Sequence, residues 1–210
     1  MGKKETIDFI EKHKAIVVLR LPEADVYPDV ERALVNGGIN IVEITMSTPG
    51  ALDLIEKSRT AGTTDRLIGV GTVMDPDTAR RAIDAGAQFV VSPVVHEKII
   101  ELCNDAGVPV MPGAFTPTEI QHAWDLGADI VKVFPAGVLG PEFFRAVLAP
   151  MPYLKLMPTG GVSLSNATDW LNAGACAVGL GSSLINNESI ENQDFAKIQK
   201  NAEQLRRIIG

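Results

Sequence analysis

Two ionisable side chains lie where the surrounding sequence is apolar. One is Lys132, in Asp129-Ile130-Val131-Lys132-Val133-Phe134-Pro135, and the other is Glu43, in Ile41-Val42-Glu43-Ile44-Thr45. Ionisable groups are almost never fully buried without a partner or a purpose. An amine in an apolar setting suits attack on a ketone, first to a carbinolamine and then to a Schiff base. That chemistry needs the neutral amine, and desolvation disfavours the ammonium. A carboxylate in direct contact would oppose it. Glu43, as the acid/base partner, is therefore expected to act through a water or the substrate rather than in a tight ion pair. Lys132 could instead pack its stem and let the ammonium reach water, which is the role expected of Lys155 at the start of its own apolar run. Glu43 could pair with an arginine or hold a metal. The spacing of His13, His96 and His122 offers no HxH or HExxH, so neither metal nor cofactor is expected.

Two glycine clusters suggest a second chemistry. Thr159-Gly160-Gly161-Val162 and Gly181-Ser182 follow late apolar runs. Glycine lets backbone N–H groups approach an anion closely, and Ser182 adds a hydroxyl, so these segments are candidate phosphate cradles. They could also be plain tight turns. Gly69-Val70-Gly71 is not a dinucleotide fingerprint, because no GxGxxG follows.

The elements that must carry these residues recur along the chain. Short runs rich in Val and Ile occupy Ala15–Leu19, Ile39–Ile44, Leu67–Val70, Gln88–Val91, Val108–Met111, Ile130–Phe134, Leu154–Met157 and Ala175–Leu180. Such runs, with little polar alternation, read as parallel strands buried on both faces. Between them Asp29–Asn36, Ala51–Arg59, Asp77–Ala85, Glu97–Ala106, Thr118–Leu126 and Ser165–Ala173 carry apolar residues at helical spacing. Asp75-Pro76 and Thr116-Pro117 supply starts, and glycines at 86, 107, 127 and 174 supply stops. The alternation, about every 20–28 residues, predicts an α/β chain folded as one (β/α)8 TIM barrel over residues 1–210. An extra N-terminal helix (Glu5–Lys14) is expected to close its bottom, and Asn192–Ile209 to form the last helix. A doubly wound open sheet is the competing fold. In a barrel, chemistry gathers where strands pass into the following loops; Arg20, Glu43, Thr72, Pro93, Lys132, Thr159 and the glycine clusters all fall there.

The 210 residues carry 19 basic and 26 acidic side chains, a formal net charge of −7. That balance disfavours nucleic acid and anionic membrane as partners. No apolar stretch predicts a membrane span, and the charged N-terminus does not read as a signal peptide. Cys103 and Cys176 lack CxxC spacing and read as buried free thiols, consistent with a cytoplasmic protein.

Taken together, Glu43-Ile44-Thr45, Gly69-Val70-Gly71-Thr72-Val73, Ser92-Pro93, Lys132-Val133-Phe134-Pro135-Ala136, Pro158-Thr159-Gly160-Gly161-Val162 and Gly179-Leu180-Gly181-Ser182 resemble the bacterial 2-keto-3-deoxy-6-phosphogluconate (KDPG) and 4-hydroxy-2-oxoglutarate (KHG) aldolases, over essentially the whole chain. The resemblance implies a metal-independent class I aldolase that splits KDPG into pyruvate and glyceraldehyde 3-phosphate, within Entner–Doudoroff sugar-acid breakdown. It casts Lys132 as the Schiff-base lysine and Glu43 as the acid/base. Thr72 would contact the pyruvate carboxylate, Pro93 and Phe134 the pocket wall, and Thr159 the hydroxyl side of the substrate. Gly160, Gly161, Gly181 and Ser182 would hold the phosphate. A homotrimer is implied as well. One departure concerns Ser47, which stands where many members carry an arginine for the carboxylate; Arg20 fits the pattern of members that place that arginine at the end of strand one. Galactonate-type relatives tend to be aliphatic at the Thr159 position, which favours the gluconate-type substrate. The alternatives are a galactonate-type aldolase, a phosphosugar isomerase or synthase without imine chemistry, a non-catalytic phosphosugar-binding barrel, and a metal-dependent pyruvate aldolase.

Overall fold

The computed structural model describes residues 1–60 and 65–210. Helix α1 (Lys3–His13) leads into β1 (Ala15–Leu19), followed by α2 (Tyr27–Asn36), β2 (Ile41–Thr45), α3 (Ala51–Thr60) and β3 (Leu67–Gly71). Next come α4 (Pro76–Asp84), β4 (Val90–Val91), α5 (Glu97–Asp105), β5 (Val110–Met111), β6 (Gly113–Ala114), α6 (Pro117–Asp125) and β7 (Val131–Val133). The chain ends with α7 (Pro141–Leu148), β8 (Leu156–Pro158), α8 (Ala167–Asn172), β9 (Val178–Leu180), α9 (Asn187–Glu191) and α10 (Phe195–Ile209). Local chemistry sets many of these boundaries. Asp75 caps α4 by accepting the Thr78 N–H, and Thr116 with Glu119 forms a capping box on α6, each followed by proline in the first turn. Gly86 and Gly127 follow α4 and α6 with φ of 100° and 94°, a region that other residues rarely enter.

The described strands run parallel in a six-stranded sheet of order β5-β4-β3-β2-β1-β9 and a three-stranded sheet of order β6-β7-β8. Each expected apolar run contains a strand. Past the fifth run and its strand β5, a further short strand β6 follows Pro112, which has no N–H to give a ladder. The Pro112 carbonyl still accepts from Lys132 N–H at 3.0 Å, linking that run to β7. At the other ends, Cys176 N–H donates to Leu156 O at 3.0 Å and Thr159 bridges Gly179. The result is an α/β fold with a curled parallel sheet.

Curling gives the strands an inside and an outside, and alternate residues divide between them. Ile16, Ile41, Leu67, Phe89, Val91, Met111, Ile130, Met157 and Ala177 form one buried cluster within the curl, joined by Ile10 from α1. The opposite strand faces, including Val17, Val42, Val70 and Val131, join a larger cluster with the surrounding helices. There Phe144 of α7 meets Trp170 of α8 edge-on, ring centroids 5.2 Å apart. Truncating an aromatic buried this way costs about 3–5 kcal/mol.

Two helical elements differ from expectation. Pro141–Leu148 forms α7 between β7 and β8, started by proline after Gly140 and burying Phe144 and Val147. A short helix that was not expected, α9 (Asn187–Glu191), precedes the expected last one, which starts at α10 because Asp194 caps it by accepting the Lys197 N–H. Among the described residues no helix is long and apolar enough to cross a membrane.

Candidate active site

Glu43 and Lys132 stand two residues beyond Ile41 and Ile130 on their strands, so each shares the inward face and lies one step above the apolar cluster. Lys132 is 5% exposed, flanked by Gly113 of β6 and Met157 of β8. Its Nζ lies 5.3 Å from the centroid of the Phe134 ring, within cation–π range. Glu43 is 1% exposed, and neither carboxylate oxygen has a hydrogen-bond partner. Burial pushes its carboxyl above the usual carboxylate range, opposed by the charges of Lys132 and Arg20. Neither cation is within the 4.0 Å of an ion pair with it. An acid and an amine are thus near one another, both buried and, among the described residues, in no ion pair.

A cleft of about 630 Å³ opens at the ends of β1, β8 and β9 and reaches Phe134, the ring beside Lys132 Nζ. Arg20, Phe134, Thr159, Gly160, Gly161, Gly181 and Ser182 line it, joined by Ser163, Ser183, Ile185 and Asn187. The backbone N–H groups of Gly160, Gly161, Gly181 and Ser182 make no hydrogen bond among the described residues. Such open donors on two adjoining loops suit an anion. The loops are braced from behind. Ser183 Oγ donates to Val162 O at 2.7 Å, Asn166 Nδ2 donates to Gly161 O at 2.9 Å, and Gly137 N–H donates to Gly160 O at 2.7 Å. Gly137 and Gly161 touch backbone to backbone, since a Cβ on Gly161 would come within 2.5 Å of Gly137 Cα. The buried Thr159 Oγ1 has no partner and rests against Gly179, whose missing side chain makes the room.

Arg20 extends from the end of β1 into this cleft with no hydrogen bond or ion pair among the described residues, although Glu23 and Asp25 follow closely in sequence. Ser47 is exposed, and its hydroxyl is engaged with Thr45 Oγ1 at 2.9 Å. Thr72, half-buried just past β3, has φ of 59°. For a β-branched residue that left-handed conformation costs about 1–3 kcal/mol and concentrates at ligand sites. Pro93 is half-buried beside Gly113. Glu43, Lys132, Thr72 and Pro93 do not line the cleft itself; Phe134, which does, connects it to the lysine.

The remaining candidates separate from this centre. Lys155 pairs with Glu11 of α1 at 2.8 Å, at the opposite strand ends. His13 stacks on Phe9, His96 precedes α5 and His122 lies in α6. Among the described residues no three of His, Cys, Asp and Glu gather as a metal would need. Cys103 and Cys176 are free thiols, each pushed up to about 12 by burial. Sequence reasoning did not find Ser183 and Asn166, which brace the glycine loops, nor Asn187; only the density of Ser and Asn beyond each glycine cluster pointed there.

Comparison with known proteins bears on the family and the fold. The family model described as KDPG and KHG aldolase matches residues 7–201. The chain is 34% identical over 202 residues to a 2-dehydro-3-deoxy-phosphogluconate aldolase of Treponema pallidum, covering 96% of each chain. It is 38% identical over 170 residues to a probable 2-dehydro-3-deoxy-6-phosphogalactonate aldolase of Rhizobium meliloti, covering 80% of each. Among solved structures, the KDPG aldolase of Legionella pneumophila, with pyruvate captured as a covalent carbinolamine, superposes with a TM-score of 0.87 at 28% identity, covering 94% of this chain and 96% of that one.

Proposed function

The chain belongs to the KDPG and KHG aldolase family, and from that premise we propose that it is a class I aldolase acting on KDPG through a Schiff base on Lys132. The observation that carries this is the pair of buried groups without an ion pair, joined through Phe134 to a cleft rich in open N–H donors. Lys132 Nζ attacks the C2 ketone, and loss of water from the carbinolamine gives an iminium. Glu43 then takes the proton of the C4 hydroxyl; the C3–C4 bond breaks, its electrons pass into the enamine, and the aldehyde departs. Protonation at C3 and addition of water to the iminium release pyruvate and restore the amine. A carboxyl raised by burial suits both directions of this proton traffic.

In this reading Arg20 and Thr72 hold the pyruvate carboxylate, Pro93 and Phe134 wall the ketone, and Thr159 meets a substrate hydroxyl. Gly160, Gly161, Gly181 and Ser182 cradle the phosphate. The cross-links at Pro112 and Thr159 support a (β/α)8 barrel, with residues 1–210 acting as one unit and α1 beneath it. The exposed apolar Val138, Met74 and Val94 are compatible with a homotrimer, and the free thiols with the cytoplasm. The Rhizobium relative favours a second substrate, the galactonate epimer; the unpartnered Thr159 hydroxyl favours the gluconate form, as does the Treponema relative. Treatment with pyruvate and borohydride should add one reduced pyruvyl group per chain, mapped to Lys132. Label on Lys155, or none with activity intact, would remove the mechanism. Turnover of the two epimers side by side decides the substrate.

A further inference from the structure

Gly71 ends β3 where the backbone does not call for glycine, because its φ lies outside the left-handed region. What the position requires is space. A Cβ there would come within 2.6 Å of Glu43 Cγ and closer still to Cδ and Oε1. The register pairs Glu43 with Gly69, not with Gly71, so the Glu43 side chain leans two residues along β3 toward the C-terminal ends of the strands. The position directly opposite is already taken, since a Cβ on Gly69 would overlap the Phe89 ring. The two inward glycines therefore differ in what they admit: Gly69 accommodates the aromatic floor, and Gly71 accommodates the carboxylate.

We propose that Gly71 is a positioning residue whose missing side chain forms the seat that holds the Glu43 carboxylate near the strand ends and clear of Lys132. The inference rests on the acid/base role of Glu43 proposed above. Glu43 has no hydrogen bond to fix it, so shape holds it in place. With a methyl group in the seat and Phe89 beside it, the carboxylate has only the interior to swing into. Glu43 meets the charges of Lys132 and Arg20 there. β6 and β8, which flank Lys132, carry no charged side chain that would compete for it. An ion pair with the nucleophile would then replace an acid/base facing the substrate.

Gly71→Ala should fold, because the group that must yield is the flexible end of a side chain rather than backbone. Two assays on pyruvate alone separate the functions: borohydride trapping needs the amine, whereas exchange of the methyl protons for deuterium needs the acid/base as well. In Gly71→Ala, exchange should fall by about 10²-fold, the low end of what a positioned acid/base contributes, and at least about tenfold further than trapping. Adding Glu43→Asp, one methylene shorter, should recover part of the exchange. Exchange in Gly71→Ala like that of the parent overturns the proposal, as does parallel loss of both activities with no recovery by Asp. If Gly71→Ala does not fold, the double variant should fold and exchange; failure of both overturns the proposal too. Glu43→Gln in the parent separates the premise from the inference. Parent-like exchange in Glu43→Gln removes both, whereas impaired Glu43→Gln beside a parent-like Gly71→Ala removes this inference alone.

Discussion

Replacing Glu43 by Gln removes a charge while leaving shape almost untouched. The amide has the volume of the carboxyl, so it fits the same space beside Gly71, and no hydrogen bond is lost because Glu43 makes none. Pyruvate should therefore still be trapped on Lys132 by borohydride. Turnover should fall by about 10²–10⁴-fold, the usual worth of a positioned acid/base. That corresponds to about 3–5 kcal/mol of added barrier. Stability should move the other way. Burial raises the Glu43 carboxyl in the folded chain, so between the ordinary carboxylate range and its folded value the native state binds more protons than the unfolded state. Stability conferred by that proton is full at low pH and lost as pH rises through the folded value. Glu43→Gln escapes this loss, so its advantage in thermal midpoint over the parent should grow with pH. Pyruvate release in a coupled assay and melting curves across pH measure both effects. A turnover loss under about threefold would refute the acid/base role. A midpoint difference that shrinks with rising pH would refute the buried, unpaired carboxyl.

Three further outcomes follow from the proposed site. Ser182→Asp puts a negative charge on an exposed position of the glycine loops, so KM for the phosphorylated substrate should rise by about tenfold or more while an unphosphorylated 4-hydroxy-2-oxo acid is cleaved as before; equal changes on both would move the phosphate elsewhere. Arg20→Ala removes a charge-assisted hydrogen bond of about 1.5–3 kcal/mol, so half-maximal trapping should need about tenfold more pyruvate or beyond, with partial recovery on adding Ser47→Arg; an unchanged titration would leave the carboxylate to Thr72. Thr72→Gly relieves about 1–3 kcal/mol of left-handed strain against a glycine entropy cost of about 0.5–1 kcal/mol, so the thermal midpoint should hold or rise while pyruvate binding weakens. A fall in midpoint would mean that the conformation is not strained.

The strands and the two buried ionisable groups were legible because they rest on local facts. Parallel strands buried on both faces must be apolar throughout, and an ionisable residue inside such a run stands out, as Lys132 and Glu43 do. What escaped depends on contacts distant in sequence. Nothing near Gly71 says that Glu43 will lie against it, since the two meet only after β2 and β3 pair. Ser183 reads as an ordinary loop serine until Val162 is brought beside it. The helix at Pro141–Leu148 has a proper start and apolar spacing, yet it is short and follows a glycine-rich turn that reads equally well as loop. The glycine loops also limit which substitutions are informative. Gly161→Val would drive into the Gly137 backbone and so report on folding rather than on phosphate.

The apolar cluster inside the curl, with Ile10 of α1 packed into it, makes the interior a blind well. Under the proposed aldolase reaction, substrate enters and both products leave by the same mouth. In the proposed reaction the three carbons tethered to Lys132 would sit at the bottom, with the aldehyde fragment between them and the cleft. Departure must therefore be sequential, with the aldehyde first and pyruvate last. Water for the final hydrolysis enters only through space the aldehyde has vacated. In product-inhibition kinetics pyruvate should compete with the substrate for the free enzyme, whereas the aldehyde should bind the pyruvate-laden form and drive the reaction backward.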